Sequence, residues 1–482
     1  MNKSVNLVYG VKDNPGLWKT IVFALQQVLA ILAATIVVPV IINGNGNGAQ
    51  MSQSAALFGA GVGTIVYLLF TKFRSPVFLG SSFAFIGSMC AAFAGAASAS
   101  AGYLGLIIGA ILAGLVYVVI ALVVKFAGVN WIDKIMPASV IGPTVAIIGL
   151  SLSVNAIGDL FKGSVTKPVE QWAINSNGIS ELVTNFVPTA NTWICLLCGL
   201  VTLATVIVCS VYGKKMMKII PFIIGIGAGY AVASIFTVIG IATKNESLMV
   251  INFSLFENMK WLPEFTFVEA FKGFKDIDGA FIGSIAVAYV PVAFVVFAEH
   301  LADHKNISSI IGTDLTKDPG LHRTLLGDGI GSMAGALFGG CPNTTYGESV
   351  GCVAISGNAS VVTIFTAAII CIVAAFFAPF MTLLATIPSC VMGGVCMTLY
   401  GFIAVSGLKM IQAVDLSENR NLFTVSVILI AGVGGMVLKI GTITITSVAC
   451  ALILGILANV LTSKAKKEEK EVEQPAEEKE IA

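Results

Sequence analysis

Pro342-Asn343-Thr344-Thr345-Tyr346-Gly347-Glu348 cuts across a long series of apolar runs and ends on a carboxylate. Its polar and β-branched residues read as an extended fragment rather than as helix. Ser81-Ser82-Phe83-Ala84-Phe85 makes a second such fragment in equally apolar surroundings. A further acid, Glu299, ends the run Ala286-Val287-Ala288-Tyr289-Val290-Pro291-Val292-Ala293-Phe294-Val295-Val296-Phe297-Ala298-Glu299. An ionisable side chain at bilayer depth costs at least ~2.5 kcal/mol, so it normally faces a cavity or the protein interior. Glu299 and Glu348 are therefore the first candidates for function.

The setting is a membrane. Of 482 residues, 56% are hydrophobic and 11% charged, with a mean hydropathy of +0.93. A soluble domain carries about 25% charged residues, so the chain reads as a polytopic membrane protein. A net charge of +1 argues against nucleic acid as a partner. The ten cysteines lie in apolar stretches and read as small packing residues. Cys195-x-x-Cys198 falls in a membrane span without a second pair, which argues against a metal site. Met1 to Lys19 mixes charges with Gly and Pro and does not read as a signal peptide.

A window of ~20 residues gives about fourteen spans. They fall near 20–43, 53–71, 78–94, 103–127, 136–153, 191–212, 219–241, 278–300, 323–340, 342–357, 359–379, 385–408, 421–438 and 441–462. Lys12, Lys19, Lys72, Arg74, Lys125, Lys134, Lys214, Lys215, Lys218, Lys305, Arg323, Lys409 and Arg420 fall on one side. Loops 44–52 and 95–102 on the other side carry no charge, so both termini are expected in the cytoplasm. Two longer loops, 154–190 and 242–277, are expected outside. Asn43 to Gly48 reads as an external turn. The Lys- and Glu-rich stretch after residue 463 reads as a disordered tail.

An even number of spans with both ends inside divides into seven plus seven, and an odd repeat implies halves of opposite topology. The two interrupted spans are then each third of their seven. Broken spans in matching positions are the strongest sequence pointer to a transporter's binding site. Unwound backbone there presents N–H donors, and Glu299 and Glu348 supply acceptors. That combination suits a flat, neutral heterocycle with alternating N–H and C=O groups, with Phe83 and Tyr346 placed to sandwich it. His300 and His322 read as surface or packing histidines. Asp328, in Gly327-Asp328-Gly329-Ile330-Gly331, reads either as a helix-bridging group or as a coupling residue. The glycines around it lack the βαβ unit of a nucleotide loop, and no catalytic motif such as His-Glu-x-x-His or Gly-x-Ser-x-Gly occurs, so no enzyme is expected.

Several motifs in order resemble one family: Phe78-Leu79-Gly80-Ser81-Ser82-Phe83-Ala84-Phe85, Ala298-Glu299-His300, Asp318-Pro319-Gly320-Leu321-His322-Arg323, Pro342 to Glu348, and Pro388-Ser389-Cys390-Val391-Met392-Gly393-Gly394-Val395. From about Gln26 to the last span the chain resembles the nucleobase–ascorbate transporters (nucleobase:cation symporter-2), on the side of the bacterial uracil permeases.

The resemblance implies an all-α membrane protein of fourteen segments in a 7+7 inverted repeat. Short antiparallel strands in segments 3 and 10 flank the substrate. A core domain would comprise 20–127 and 278–379, and a gate domain 136–241 and 385–462, between a cytoplasmic N-terminus (1–19) and the tail (463–482). It implies an inner-membrane proton symporter, with homodimers through the gate domains and an elevator-like movement of core against gate. No cofactor or metal is implied; the coupling ion is a proton, with sodium as the alternative. Glu299 and Glu348 match the substrate-binding carboxylates, Phe83 and Gly347 the backbone contacts, and Tyr346 a side chain beside them. Proton coupling falls to Glu299, Asp303, Asp328 and Tyr400. Glutamate at position 348 is similar to uracil permeases. Asp303 stands where the uracil pattern has histidine, Asp328 resembles purine members, and Ser349, Ser356 and Gln26-Gln27 depart from the signature. A xanthine or other purine permease is thus the alternative, and an anion carrier of the same architecture a further one.

Overall fold

The structure is a computed structural model that describes residues 7–44, 49–128, 131–174, 180–214, 216–257, 259, 261–263, 265–440 and 443–463. The expected tail beyond residue 463 and most of the 43–48 turn lie outside the described residues. The chain is mainly helical. In order it forms α1 (Leu17–Gly44), α2 (Gln53–Phe70), β1 (Leu79–Ser81), α3 (Ile86–Ala94), α4 (Ala99–Ala127), α5 (Ala138–Ser151), β2 (Thr166–Ile174), β3 (Ser180–Pro188), α6 (Thr192–Tyr212) and α7 (Pro221–Thr243). Then come α8 (Gly279–Ile311), α9 (Leu321–Leu337), β4 (Asn343–Thr345), α10 (Gly347–Ser356), α11 (Val361–Ala375), α12 (Ser389–Gln412), α13 (Asn419–Val433), β5 (Leu438–Ile440), β6 (Ile443–Ile445) and α14 (Ser447–Leu461).

Several starts follow from local chemistry. The Ser52 side chain accepts from the Ala55 N–H at the head of α2, and Ser98 does the same for Ala101 at the head of α4. Asp278 caps α8 through the Phe281 N–H at 2.7 Å. Among the described residues, eight helices are long and apolar enough to cross a membrane, one of them the run Ala138–Asp159 that joins α5 to the short helix after it. The pair Val361–Ala375 and Ala378–Ala385, bent by 84°, would make a ninth. The expected span at 359–379 thus stops at Ala375, because Pro379 opens a separate short helix in its first turn. The expected external loop 154–190 holds a short helix (Ser153–Asp159) and the antiparallel β2–β3 pair.

Helix packing separates the elements into two sets. α2 packs on α9 and α11, α4 on α8 and α9, and α1 on α11. Independently, α5 packs on α12 and α13, α6 on α7 and α12, and α13 on α14. Both sets rely on small residues for close approach, as expected where lipid offers no hydrophobic drive. A Cβ on Gly63 would lie 2.3 Å from Asn343 Nδ2 and 2.8 Å from the Gly331 carbonyl; one on Gly149 would lie 2.3 Å from the Tyr400 carbonyl.

The two interrupted regions meet. β1 and β4 pair antiparallel, with Leu79 opposite Thr345, Gly80 opposite Thr344 and Ser81 opposite Asn343. The ladder is extended by Ser82 N–H to the Pro342 carbonyl at 2.9 Å and Tyr346 N–H to the Phe78 carbonyl at 3.2 Å. The Thr64 hydroxyl accepts the Leu79 N–H at 2.9 Å, satisfying a donor at the strand edge. At the far end of α10, the start of the chain lies along the linker to α11. Val8 N–H donates to the Gly357 carbonyl at 2.7 Å, and Ala359 N–H donates to the Tyr9 carbonyl at 2.9 Å.

Candidate functional site

Strand β4 delivers Glu348 to the first turn of α10. The first intrahelical bond there runs from Val350 N–H to the Tyr346 carbonyl, so the N–H groups of residues 347–349 precede the helical ladder. N–H groups outside that ladder and the helix dipole make this end electropositive. Glu299 comes from the middle of α8, the longest helix. One turn later on the same face is Asp303, whose carboxylate accepts the Thr345 hydroxyl at 2.8 Å and so ties α8 to β4.

Glu299, Asp303, Gly347 and Glu348 line one cavity of about 440 Å³. That size suits a small planar solute. Glu299 and Glu348 are half-buried and Gly347 is exposed, which leaves all three open to the space. The opposite wall is built by the second helix set, with Val145, Phe222, Phe402 and Ser406 beside Lys218. Three carboxyl groups and one ammonium therefore surround a largely apolar hollow between the two sets of helices. Among the described residues, no group of three or more His, Cys, Asp or Glu side chains could hold a metal ion.

The remaining expected site residues stand elsewhere. The Tyr346 ring covers Gly80, where a Cβ would lie 2.3 Å from the ring, and its hydroxyl donates to the Ser81 carbonyl at 2.7 Å. It therefore clamps the β1–β4 ladder and does not face Phe83 across the cavity. Phe83 lines a second cavity of about 240 Å³, together with Ile148, Asn155 and Thr446. The Phe83 ring meets Tyr400 edge-on, with centroids 5.8 Å apart. α5 touches both hollows, the larger at Val145 and the smaller at Ile148 and Ser151.

Asp328 is buried on α9, away from the large cavity, and its carboxylate lies 2.7 Å from His300 Nδ1. His300 is thus no surface residue; it is fully buried, and its Nε2 lies 3.0 Å from the Thr324 hydroxyl. The His304 ring stacks on it at 3.9 Å and reaches the Tyr67 hydroxyl at 2.7 Å. Sequence reasoning passed over His304, although a signal was present. Glu299/Asp303 and His300/His304 are two pairs spaced by four on adjoining faces of one helix. The acids face the cavity, while the histidines face α2 and α9. Ser349, noted as a departure from the family signature, accepts the Phe78 N–H at 3.0 Å and is bonded to Gln27, joining α1, β1 and α10.

A family model described as Permease family (Xan_ur_permease) matches residues 18–441. The chain is 36% identical over 473 residues to the uracil permease of Bacillus subtilis (strain 168), covering 97% of each chain. It is 37% identical over 466 residues to that of Bacillus caldolyticus, covering 96% of this chain and 95% of the other. Among solved structures, the transmembrane domain of a cyanobacterium bicarbonate transporter, BicA, superposes with a TM-score of 0.57. It is 15% identical, with 93% of this chain and 99% of that one covered, a likeness of fold.

Proposed function

The chain belongs to the Permease family matched over residues 18–441, a family of transporters and not of enzymes, and from that premise we propose that it imports uracil across the cell membrane with a proton. The observation that carries the proposal is the convergence of Glu299, Glu348 and the α10 N-terminus on one cavity. Uracil offers two ring N–H groups and two carbonyls on a flat ring. The carboxylates accept the N–H groups, and the N–H groups at the head of α10 donate to a carbonyl. A hydrogen bond to a charged group contributes ~1.5–3 kcal/mol net, so a few of them reach micromolar affinity after ordering costs. The names of the relatives at 36% and 37% identity support uracil over a purine. An anion carrier is disfavoured by a cavity with three acidic groups to one Lys218.

The architecture we infer has fourteen segments in a 7+7 inverted repeat, with β1–α3 and β4–α10 as the interrupted third and tenth. The core comprises α1–α4 and α8–α11, and the gate α5–α7 and α12–α14. The two packing sets support that division. Transport is then an elevator-like displacement of the core, carrying the Glu299–Glu348 site, along the gate. Homodimers form through the gate, and both termini face the cytoplasm. Uptake of [³H]uracil into proteoliposomes under an inward proton gradient tests the reading, with Glu299→Ala and Glu348→Ala as the decisive variants. Loss of uptake in both is expected; wild-type rates in both would end it. Excess unlabelled xanthine should compete poorly, and strong competition would transfer the proposal to a purine.

A further inference from the structure

Four buried polar atoms without a hydrogen-bond partner among the described residues line a single small cavity: Asp328 Oδ1, Asn343 Oδ1, Ser332 Oγ and the Tyr117 hydroxyl. About 10 Å³ is open there to the centre of a water-sized molecule, which is room for one. Asn343 gives its amide N–H to the Gly59 carbonyl at 2.9 Å, which turns its oxygen to the cavity. The Asp328 and Asn343 oxygens accept, and the two hydroxyls can donate. A water molecule donates twice and accepts twice, so one water pairs with all four. A sodium ion would draw on lone pairs alone and leave the Tyr117 hydroxyl proton facing Phe85, Val296 and Ala113.

The second Asp328 oxygen is the one 2.7 Å from His300 Nδ1. His300 Nε2 meets Thr324, whose single hydroxyl proton is directed at the Leu321 carbonyl 3.0 Å away. Thr324 then accepts, and Nε2 carries a proton. The short contact between Nδ1 and Asp328 needs a proton of its own, held either by the imidazole or by the carboxyl. When that proton leaves, the one remaining imidazole N–H points at the carboxylate, and the Thr324 hydroxyl turns from Leu321 to donate to Nε2. The pair has a seat for one extra proton and a rotor that adjusts to its loss.

We propose that His300, Asp328 and one water held by Asp328, Asn343, Ser332 and Tyr117 form a proton-binding unit, connected through Asn343 to β4 and so to Glu348. The titratable groups around it are Glu299, Asp303 and His304 on α8, Tyr117 on α4 and Tyr67 on α2. His304 is a separate group: its Nδ1–H donates to the His300 carbonyl at 2.8 Å, leaving Nε2 to the Tyr67 hydroxyl. The unit's part in transport rests on the proton-coupled reading above, but its proton can be measured without substrate.

The test is the Tm of purified full-length protein from roughly pH 5 to 9 in potassium buffer without nucleobase, for wild type, His300→Gln and Thr324→Val. His300→Gln is expected to remove a pH-dependent component of Tm. Thr324→Val should move its midpoint by about one pH unit, the worth of one charge-assisted hydrogen bond. Thr324→Val also carries the test where His300→Gln does not fold. Curves parallel to wild type in both variants overturn the unit. A Tm raised by sodium in wild type but not in Asp328→Asn overturns the water and makes the cavity a cation site. Variant-dependent Tm curves without proton-driven uracil uptake by wild type uphold the unit and overturn the transport reading alone.

Discussion

Glu348 sits where a strand ends and a helix begins, a position that suits a carboxylate. The N–H groups of α10 stabilise its charge, and a half-buried setting leaves it one face for a ligand. Replacing it by alanine removes one charge-assisted contact, so uracil affinity should fall roughly ten- to a hundredfold. A uracil titration followed by Tm would read this directly, and an unchanged titration would remove Glu348 from the site. Thr345→Val should act differently. It takes the hydroxyl from Asp303 without touching the cavity wall, so a smaller loss, about tenfold or less, is expected. The acids were legible in the sequence because charge is rare in apolar runs. The directions of Phe83 and Tyr346 were not. In an extended fragment side chains alternate, and the side that faces the cavity depends on the partner strand's register. With Gly80 opposite Thr344, the Tyr346 ring turns onto the ladder.

At the scale of elements, the β1–β4 ladder needs glycine around it. Asn343 reaches between α2 and α9 to the Gly59 carbonyl, and a Cβ at either Gly63 or Gly335 would lie 2.3 Å from its Nδ2. Gly63→Ala is therefore expected to destabilise by about 1–3 kcal/mol and to lower Tm. Gly227→Ala on α7, with nothing within 4 Å of the added carbon, should leave Tm unchanged. Equal Tm values for the two variants would contradict the packing. The interrupted regions were visible as breaks in hydropathy, although the expected span 359–379 ran up to Pro379. The bend that Pro379 accompanies was not visible, since a residue in a first helical turn does not announce the angle of the helix before it. The histidine pair escaped for a related reason. Spacing by four was plain, but which α8 face meets α9 is decided by packing across the bundle.

For the whole molecule, the informative contact is Phe83 on Tyr400, because it joins one helix set to the other beside the smaller hollow. If transport moves one set along the other, fixing this contact must stop it. The double variant Phe83→Cys/Tyr400→Cys, treated with a short bifunctional thiol reagent, should lose most uracil uptake, while each single variant so treated keeps its own rate. Uptake that survives cross-linking of the double variant, verified by mass spectrometry, would argue against relative movement at this boundary. Membrane class and family could be read from composition and motifs, whereas the division into core and gate came only from the family resemblance and not from the apolar runs themselves. Apolar helices present much the same surface to lipid and to one another, so hydropathy alone does not assign partners.

The ladder between Leu79–Ser81 and Asn343–Thr345 has a consequence for biosynthesis. Its first strand leaves the ribosome early and stays single until most of the protein has been made. Until then the amides of the first strand lack their ladder partners, a state that neighbouring groups such as the Thr64 hydroxyl can shield. Translation halted before β4 would leave the ladder with one strand, so the fold that presents Glu348 is completed only by the late portion of the message.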